Sequence, residues 1–429
     1  MAEATPGGGV WAEVAGQTAV IASFMDAARA ARVALAQRGE SEGTQDLQGA
    51  PPGIDEGVGG PQDSGREDTG RESQAMTHAW LVTGPPGSGR SVAALAFAAA
   101  LECTNPETPG CGHCEACRQV MGGTHPDVTV VTTDKVLITI DEVRELVNLS
   151  VRSPSSGRWR VILVEDYDRI DTRSSNVLLK FIEEPPPATV WLLCVPSPAD
   201  VMPTIRSRCR LTQLRVPSVE SVAELLVRRD GVEPVLARQV AEESGSHIGL
   251  ARALARDPET RSRREELISA AVTSASTSQA VLAAARIMGV AEAQDKATNA
   301  ELEEAERLAL RASLGLTEGT AIPQGLRGQF KNLEEEQQRR AKRSRQDVID
   351  RAIQDVTSFY RDVLMLQTSS GVPVGNQAMR TLIQQVADGS TMARTLERID
   401  VLDQTRTRLK VNTNYQLILE SMCIQLRQS

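Results

Sequence analysis

The spacing of hydrophobic and polar positions in this 429-residue chain changes along the sequence, and these changes predict its elements. Almost continuously apolar runs, typical of buried strands, occupy residues 79–83, 127–131, 159–164 and 189–195. Helical spacing follows or separates them over residues 92–101, 141–151 and 174–182. Asp141 stands where it could cap the second of these helices. Buried strands separated by helices indicate an α/β module with a parallel sheet covered on both faces.

The regions on either side of this module differ from it. Helical spacing covers residues 10–36, whereas residues 38–75 are rich in Gly, Pro, Glu, Asp, Gln and Ser and predict a disordered insertion. After Pro217 the strand signal ends and only helical patterns remain. The chain is therefore expected to form an α/β domain over 1–216, a small helical domain over 217–257 and an all-α domain over 258–429.

One stripe in the last domain predicts a helical core face, because its members recur at i, i+3, i+4 and i+7. They are Ile349, Ala352, Ile353, Val356, Tyr360 and Val363. Just before it, an arginine-rich run over 339–345 follows Glu334, Glu335 and Glu336. The i,i+4 pairs Glu335–Arg339 and Glu336–Arg340 favour a solvated charged helix, with a DNA-facing patch as the alternative.

Composition narrows the class of protein. A net charge of −9 argues against a chain that grips nucleic acid alone through a large basic face. No stretch approaches the ~20 apolar residues of a membrane span, and residues 1–6 lack the features of a signal peptide. Seven cysteines, an odd number, indicate a reducing cytoplasm and a metal site rather than disulfides.

A phosphate-binding loop begins directly after the first predicted strand. It reads Gly-Pro-Pro-Gly-Ser-Gly-Arg-Ser, so Arg90 stands where the pattern has lysine. In such loops, backbone amides and a helix N-terminus surround phosphates, and the hydroxyl residue binds Mg²⁺. The candidate nucleotide-binding residues are Gly84, Gly87, Ser88, Gly89, Arg90 and Ser91. Whether ATP and Mg²⁺ bind remains open, because a planar guanidinium does not replace a compact ammonium in a tight site.

Two carboxylates follow the third apolar strand. In P-loop ATPases an Asp here holds Mg²⁺ and the next Glu polarises water, whereas this chain has Glu165 before Asp166. The exchange displaces both groups by about one methylene, and ~1 Å of misplacement can cost ~100-fold in rate. We therefore expect poor hydrolysis at this site.

Four of the seven cysteines lie within fifteen residues. Cys103, Cys111, Cys114 and Cys117 have the spacing C-x7-C-x2-C-x2-C. Tight C-x2-C turns present thiolates that converge on tetrahedral Zn²⁺, and four thiolate ligands leave no open position. The pattern predicts a structural zinc site; His113 is an available substitute ligand that the site does not need.

Arg208 lies within a Ser-Arg-Cys run. It is either a surface charge or an arginine finger that stabilises transition-state charge in a neighbouring subunit's nucleotide site. His78, His125 and His247 are isolated and are interpreted as structural. The sequence contains no H-E-x-x-H, G-x-S-x-G or G-x-G-x-x-G motif.

Taken together, these motifs resemble the AAA+ clamp-loader family, in particular the delta-prime family of bacterial DNA polymerase III in its actinobacterial form. The resemblance rests on the P-loop, the four cysteines and residues 10–17, 176–186 and 204–209. It covers about 10–37 and 76–256 well, and the rest only by helical character. It implies a P-loop domain with a zinc module, a helical lid over 217–257 and a helical collar over 258–429.

The family's function is implied by the same resemblance. Its five-membered ring, with gamma/tau motor subunits and a delta subunit, loads the β sliding clamp on primed DNA. A delta-prime subunit lends its Ser-Arg-Cys arginine, here Arg208, to a motor subunit. Arg90, the Glu165–Asp166 order, Val195 at the first sensor and the lack of arginine near Gly249 depart from the motor pattern. The alternatives are a motor-type subunit that hydrolyses ATP itself and a non-replicative P-loop regulator.

Overall fold

The computed structural model describes residues 8–45, 76–132, 138–314, 316, 322–372, 374–411 and 414–427. The chain divides into two compact units, one ending at Ser221 and one beginning at Val222. The finer division of the helical region into 217–257 and 258–429 stays a prediction.

The first unit is built on a parallel five-stranded sheet in the order β2-β3-β4-β1-β5. Its strands are β1 (Ala79–Thr83), β2 (Val128–Val131), β3 (Arg160–Val164), β4 (Thr189–Val195) and β5 (Arg210–Gln213). The predicted α/β fold is confirmed. Strand β5 was not predicted, because as an edge strand it buries only Thr212 and shows no apolar run.

Six α-helices of the described residues accompany this sheet. They are α1 (Thr18–Gln45), α2 (Arg90–Glu102), α3 (Glu115–Met121), α4 (Ile140–Ser150), α5 (Thr172–Glu183) and α6 (Pro203–Arg206), with short 3₁₀ helices at Gly9–Glu13, Tyr167–Arg169 and Pro198–Asp200.

Two sequence-based expectations change here. Helix α4 is capped by Thr139, which forms a capping box with Glu142, so the predicted cap Asp141 lies inside the first turn instead. The backbone of α1 remains helical to Gln45, so residues 38–45 are not part of a disordered insertion. The rest of that predicted insertion, residues 46–75, lies outside the described residues.

Helices cover both faces of the sheet because alternate strand side chains point to opposite sides. On one face Phe24 of α1 stacks on Phe97 of α2, with ring centroids 4.4 Å apart, and both rings meet the edge or face of Trp80. On the other face Ile162 and Leu193 pack with residues of α4 and α5. The buried strands therefore fix the positions of the loops at both ends of the sheet.

The second unit contains only helices among its described residues from Val222 to Arg427, as predicted. They are α7 (Val219–Asp230, which begins in the first unit), α8 (Pro234–Glu243), α9 (Ile248–Arg256), α10 (Pro258–Val272), α11 (Thr277–Ser313), α12 (Arg327–Gln367), α13 (Arg380–Asp388), α14 (Met392–Val411) and α15 (Tyr415–Leu426), with 3₁₀ turns at Gln324–Leu326 and Gln377–Met379.

The core of the second unit centres on α12. All six residues of the predicted stripe on this helix are buried against α10, α11, α13, α14 and α15. The buried guanidinium of Arg264 pairs with Asp355 at 2.8 Å and also contacts Asn376 at 2.8 Å, which ties α10 to α12. The stripe is therefore core, as its spacing indicated.

The arginine-rich run lies on the same long helix, α12, and most of its charges are paired. Arg339 meets Glu335 at 3.9 Å, as predicted, and Arg340 meets Glu306 of α11 at 2.6 Å. Arg343 and Arg345 also have carboxylate partners, Asp347 and Asp295. The side chain of Glu336 lies outside the described residues. These pairs favour the charged-helix interpretation over the DNA-facing patch.

No helix among the described residues combines the length and apolar character needed to cross a membrane.

Candidate functional site

The phosphate-binding loop has the backbone geometry that its glycines predicted. It follows β1 and leads into α2, with Gly87 at φ 80° and Gly89, the N-cap of α2, at φ 85°. A left-handed conformation is strained for other residues, so glycine is required to turn the amides inward. The hydroxyl oxygen of Ser88 is buried and has no hydrogen-bond partner among the described residues. An unpaired buried polar group beside a helix N-terminus suits an incoming anion.

The guanidinium of Arg90 turns back onto its own loop. Its Nη1 donates a hydrogen bond to the carbonyl of Gly84, the first residue of the motif. The basic group is therefore held by the backbone of the loop that it would serve in a nucleotide site.

The structure brings Ser91 and the acid pair together. Glu165 follows β3 at the same edge of the sheet as the loop, and its carboxylate is hydrogen-bonded to the side chain of Ser91. Burial raises the pKa of Glu165; the Ser91 bond opposes that rise and the nearby Asp166 carboxylate adds to it. Asp166 pairs with Arg169 at 3.2 Å. The groups predicted for Mg²⁺ are thus adjacent, in the inverted order.

The two predicted sensor positions lie on different units. Val195 ends β4 opposite Thr83, beside the loop, and is completely buried. Its apolar side chain offers no hydrogen bond to a phosphate. Gly249 lies in the first turn of α9 in the second unit.

The four cysteine thiols form one cluster, with all sulfur atoms within 4.8 Å of one another. Cys103 follows α2, Cys114 caps α3, and Cys117 lies in the first turn of α3. A tetrahedral ion with ~2.3 Å bonds to sulfur requires sulfur separations just below 4 Å. Cys103 and Cys114 already have theirs at 3.9 Å. This donor set fits a metal ion that prefers thiolates.

Backbone amides and neighbouring thiols shift the pKa values of the four cysteines in the cluster. The amides of Cys114 and Cys117 point at the sulfurs of Cys111 and Cys114, each at 3.4 Å. A hydrogen bond from the Cys117 thiol lowers the pKa of Cys103 to about 3, and the same bond raises that of Cys117. The pKa shifts of the four thiols thus differ in sign: those of Cys103 and Cys114 are lowered and those of Cys111 and Cys117 are raised.

The chain's N-terminal motif packs on this cysteine loop. Val10 donates to the carbonyl of Gly110 at 3.0 Å, and the indole of Trp11 donates to that of Pro109 at 2.9 Å. A Cβ on Gly9 would lie 2.2 Å from the Gly110 oxygen, so only glycine permits this approach. Gln17 then pairs with both backbone groups of Arg215, beyond β5.

Arg208 lies at the opposite edge of the sheet from the P-loop. It follows the short helix α6 and precedes β5. Because β5 runs parallel to β1, with Arg210 opposite Trp80, residue 208 is level with the start of β1. The P-loop follows the other end, and a five-residue strand spans ~16 Å. Arg208 therefore cannot serve its own P-loop.

A buried carboxylate network that the sequence did not reveal holds this same edge. Asp127, completely buried just before β2, accepts hydrogen bonds from the amides of Ser155, Ser156 and Gly157 and pairs with Arg160 at 2.9 Å. Glu102, at the end of α2, accepts from the amides of Arg158 and Trp159. Burial raises the pKa of Glu102 to about 7, although these two bonds oppose the rise.

The three isolated histidines are structural, as interpreted from the sequence. His78 contacts the carbonyl of Thr189 at 3.0 Å, His125 accepts from the Asp127 amide, and His247 caps α9.

Comparison with known proteins agrees with the sequence motifs. Residues 68–218 match the family model described as DNA polymerase III, delta subunit. DNA polymerase III subunit delta' of Pseudomonas aeruginosa is 37% identical over 37% of this chain and 50% of its own length. The Escherichia coli delta' is 34% identical over 35% of the chain and 46% of its length.

Motor-type relatives match less of their own length. DNA polymerase III subunit gamma/tau of Mycobacterium bovis is 32% identical over 36% of this chain and 27% of that protein. The chain spans about half the length of the curated delta' relatives named above. The predicted resemblance to the delta-prime family is confirmed for the P-loop unit.

Proposed function

We propose that this chain is a delta-prime-type subunit of a DNA polymerase III clamp loader. It assembles with gamma/tau motor subunits and a delta subunit in the cytoplasm, and the complex loads the β sliding clamp on primed DNA. The chain itself hydrolyses little or no ATP. Its contribution is Arg208, which acts as an arginine finger in a neighbouring motor subunit.

The location of Arg208 is the observation that carries this proposal. Its guanidinium is exposed at the sheet edge opposite the chain's own P-loop, where it can reach only a nucleotide held by another subunit. At that neighbour's site, the fixed positive charge would stabilise charge developing on the transferred phosphoryl group.

The P-loop edge supports the second half of the proposal. Arg90 is bonded to its own loop, the acid pair is inverted and the sensor position is apolar. Should a nucleotide bind, the loop amides and Ser88 would hold its phosphates and Ser91 would contact Mg²⁺, which supplies charge neutralisation. The acids remain about one methylene from the positions that efficient hydrolysis needs.

Zinc is the metal we propose for the cysteine cluster. Cys103, Cys111, Cys114 and Cys117 would complete a tetrahedral site with no open position, so the ion is structural. It would fix the loop on which Val10 and Trp11 pack.

The test is Arg208→Ala in a loader reconstituted with gamma/tau and delta subunits. We expect clamp- and DNA-stimulated ATP turnover to fall about tenfold or more, within the ~10³ that an arginine finger contributes at its site, because each loading cycle needs the site that Arg208 serves. Arg206→Ala, an exposed arginine two residues earlier, is the matched control. Turnover that stays unchanged in Arg208→Ala would falsify the finger assignment.

A motor-type subunit is the competing function, and the gamma/tau matches are its support. Purified chain that hydrolyses ATP by itself, with stimulation by primed DNA, would favour it over the delta-prime assignment.

A further inference from the structure

We infer that Glu183 is a positioning residue for Arg208, holding the guanidinium in the orientation from which it engages a neighbouring subunit's phosphate. The inference rests on the proposed function, since it requires Arg208 to act in trans. Glu183 belongs to the Glu-Glu-Pro-Pro run that ends α5, a segment to which sequence reasoning assigned no role.

The three nitrogens of the Arg208 guanidinium differ in their contacts. Nε of Arg208 meets Oε1 of Glu183 at 2.6 Å. Nη1 donates to the carbonyl of Thr204 at 2.8 Å and to the Ser207 hydroxyl at 3.3 Å. Among the described residues, Nη2 has no hydrogen-bond partner. The chain thus fixes one side of the planar fork and leaves the other for an external acceptor.

The place of Glu183 in α5 explains why it suits this role. It is the last residue of the helix, where the partial negative charge of the helix C-terminus adds to its carboxylate in attracting a cation. Glu184 follows as the C-cap and forms no ion pair among the described residues. Of two adjacent acids, only one is aimed at the finger.

Exposure indicates that the pair orients Arg208 rather than stabilising the fold. The side chains of Arg208 and Glu183 are 40% and 43% exposed, and exposed ion pairs contribute little to stability. The same contact restricts the rotamers of a long side chain before a partner binds, which lowers the entropic cost of using it. Loss of Glu183 should therefore change turnover without unfolding the protein.

The experiment compares Glu183→Gln and Glu184→Gln in the reconstituted loader, using ATP, β clamp and primed DNA. Both substitutions remove one charge from the same turn, but only Glu183→Gln replaces the carboxylate that faces Nε by a neutral amide oxygen, which is a weaker acceptor. We expect kcat to fall roughly fivefold with Glu183→Gln, because Thr204 still holds Nη1, with KM for primed DNA unchanged. Glu184→Gln should match the wild type, and Glu183→Asp should recover part of the loss.

A double variant shows whether the effect passes through Arg208. In the Arg208→Ala background, Glu183→Gln should cause no further loss, since the group that it positions is gone. A normal kcat in Glu183→Gln while Arg208→Ala is impaired would overturn the positioning role and leave the finger intact. A raised kcat in Glu183→Gln, or equal losses in the two glutamine variants, would also overturn it. Wild-type turnover in Arg208→Ala would remove the proposed function itself.

Discussion

The two edges of the parallel sheet differ in how completely their polar groups are paired. At the edge where the strands begin, Asp127 and Glu102 are surrounded by backbone amides, and Arg208 is anchored by Glu183. At the edge where they end, the Ser88 hydroxyl finds no partner in the described part of the chain, and the pKa of Glu165 is raised by burial. One edge of the sheet has the backbone geometry of a nucleotide site, whereas the other edge has the buried carboxylate network.

The backbone geometry and the side-chain placement of a P-loop obey different requirements. Backbone geometry at the P-loop persists because Gly87 and Gly89 also shape the turn from β1 into α2. Catalysis depends on side chains placed to within about an ångström, so a few substitutions abolish it while the fold remains. A P-loop in a sequence is therefore evidence of the fold. It is evidence of ATP hydrolysis only when the catalytic side chains around the loop are also present.

The largest effect is expected from breaking the cysteine cluster, which lies beyond the end of α2. Cys114→Ser removes one of four ligands, and structural zinc sites contribute on the order of 10 kcal/mol. We expect about one equivalent of zinc in the wild type, little in the variant, and a large drop in urea resistance. All four tryptophans lie in the first unit, so their fluorescence reports that unit.

Cys209→Ser is the control, because Cys209 lies outside the cluster. Wild-type protein that contains no metal and is as resistant to urea as the zinc-containing protein would contradict a structural zinc.

A smaller loss should follow from Asp127→Asn at the strand-start edge. Removing one partner of a buried pair costs about 3–5 kcal/mol, and Arg160 would be left buried without its carboxylate. Hydrogen bonds from Ser155, Ser156 and Gly157 hold the pKa of Asp127 well below its ordinary value of 3.8, outweighing its burial.

The pH dependence of this effect has a definite sign. A carboxyl group whose pKa is lower in the folded state than in the unfolded state stabilises the protein at pH values above its unfolded-state pKa. This contribution is lost as the pH falls below that pKa. Urea midpoints should therefore separate wild type from Asp127→Asn fully at pH 7 and less below about pH 4. Asp141→Asn, at an exposed position of α4, should match the wild type throughout. A difference that grows on acidification would be inconsistent with this account.

The smallest effect is expected at the P-loop edge. Arg90→Lys should tighten ATP binding to the isolated chain by up to about tenfold, because a compact ammonium can leave Gly84 and reach phosphate. Turnover should stay at the wild-type level, since Glu165 and Asp166 remain inverted. Titration calorimetry and a phosphate-release assay measure the two quantities. Arg90→Ala should bind no more tightly than wild type, and efficient hydrolysis by Arg90→Lys would revive the motor interpretation.

Much of this molecule was predictable from local sequence. The buried strands, the P-loop turn, the cysteine cluster and the stripe on α12 each depend on residues close together in the chain, whose spacing reflects one element or one turn. Strand β5 and the Thr139 cap were missed because an edge strand buries little and because a cap depends on backbone geometry.

The tertiary structure alone decided where charged groups that are far apart in the chain meet. Asp127 and the amides of residues 155–157 are about thirty positions apart, and Glu183 and Arg208 are twenty-five apart. No periodicity links such positions; the parallel register of the strands brings them to one edge. The sequence by itself determined the elements and the cysteine cluster. Only the packing of those elements decided that Arg208 faces away from its own P-loop, because strand direction is a property of the assembled sheet.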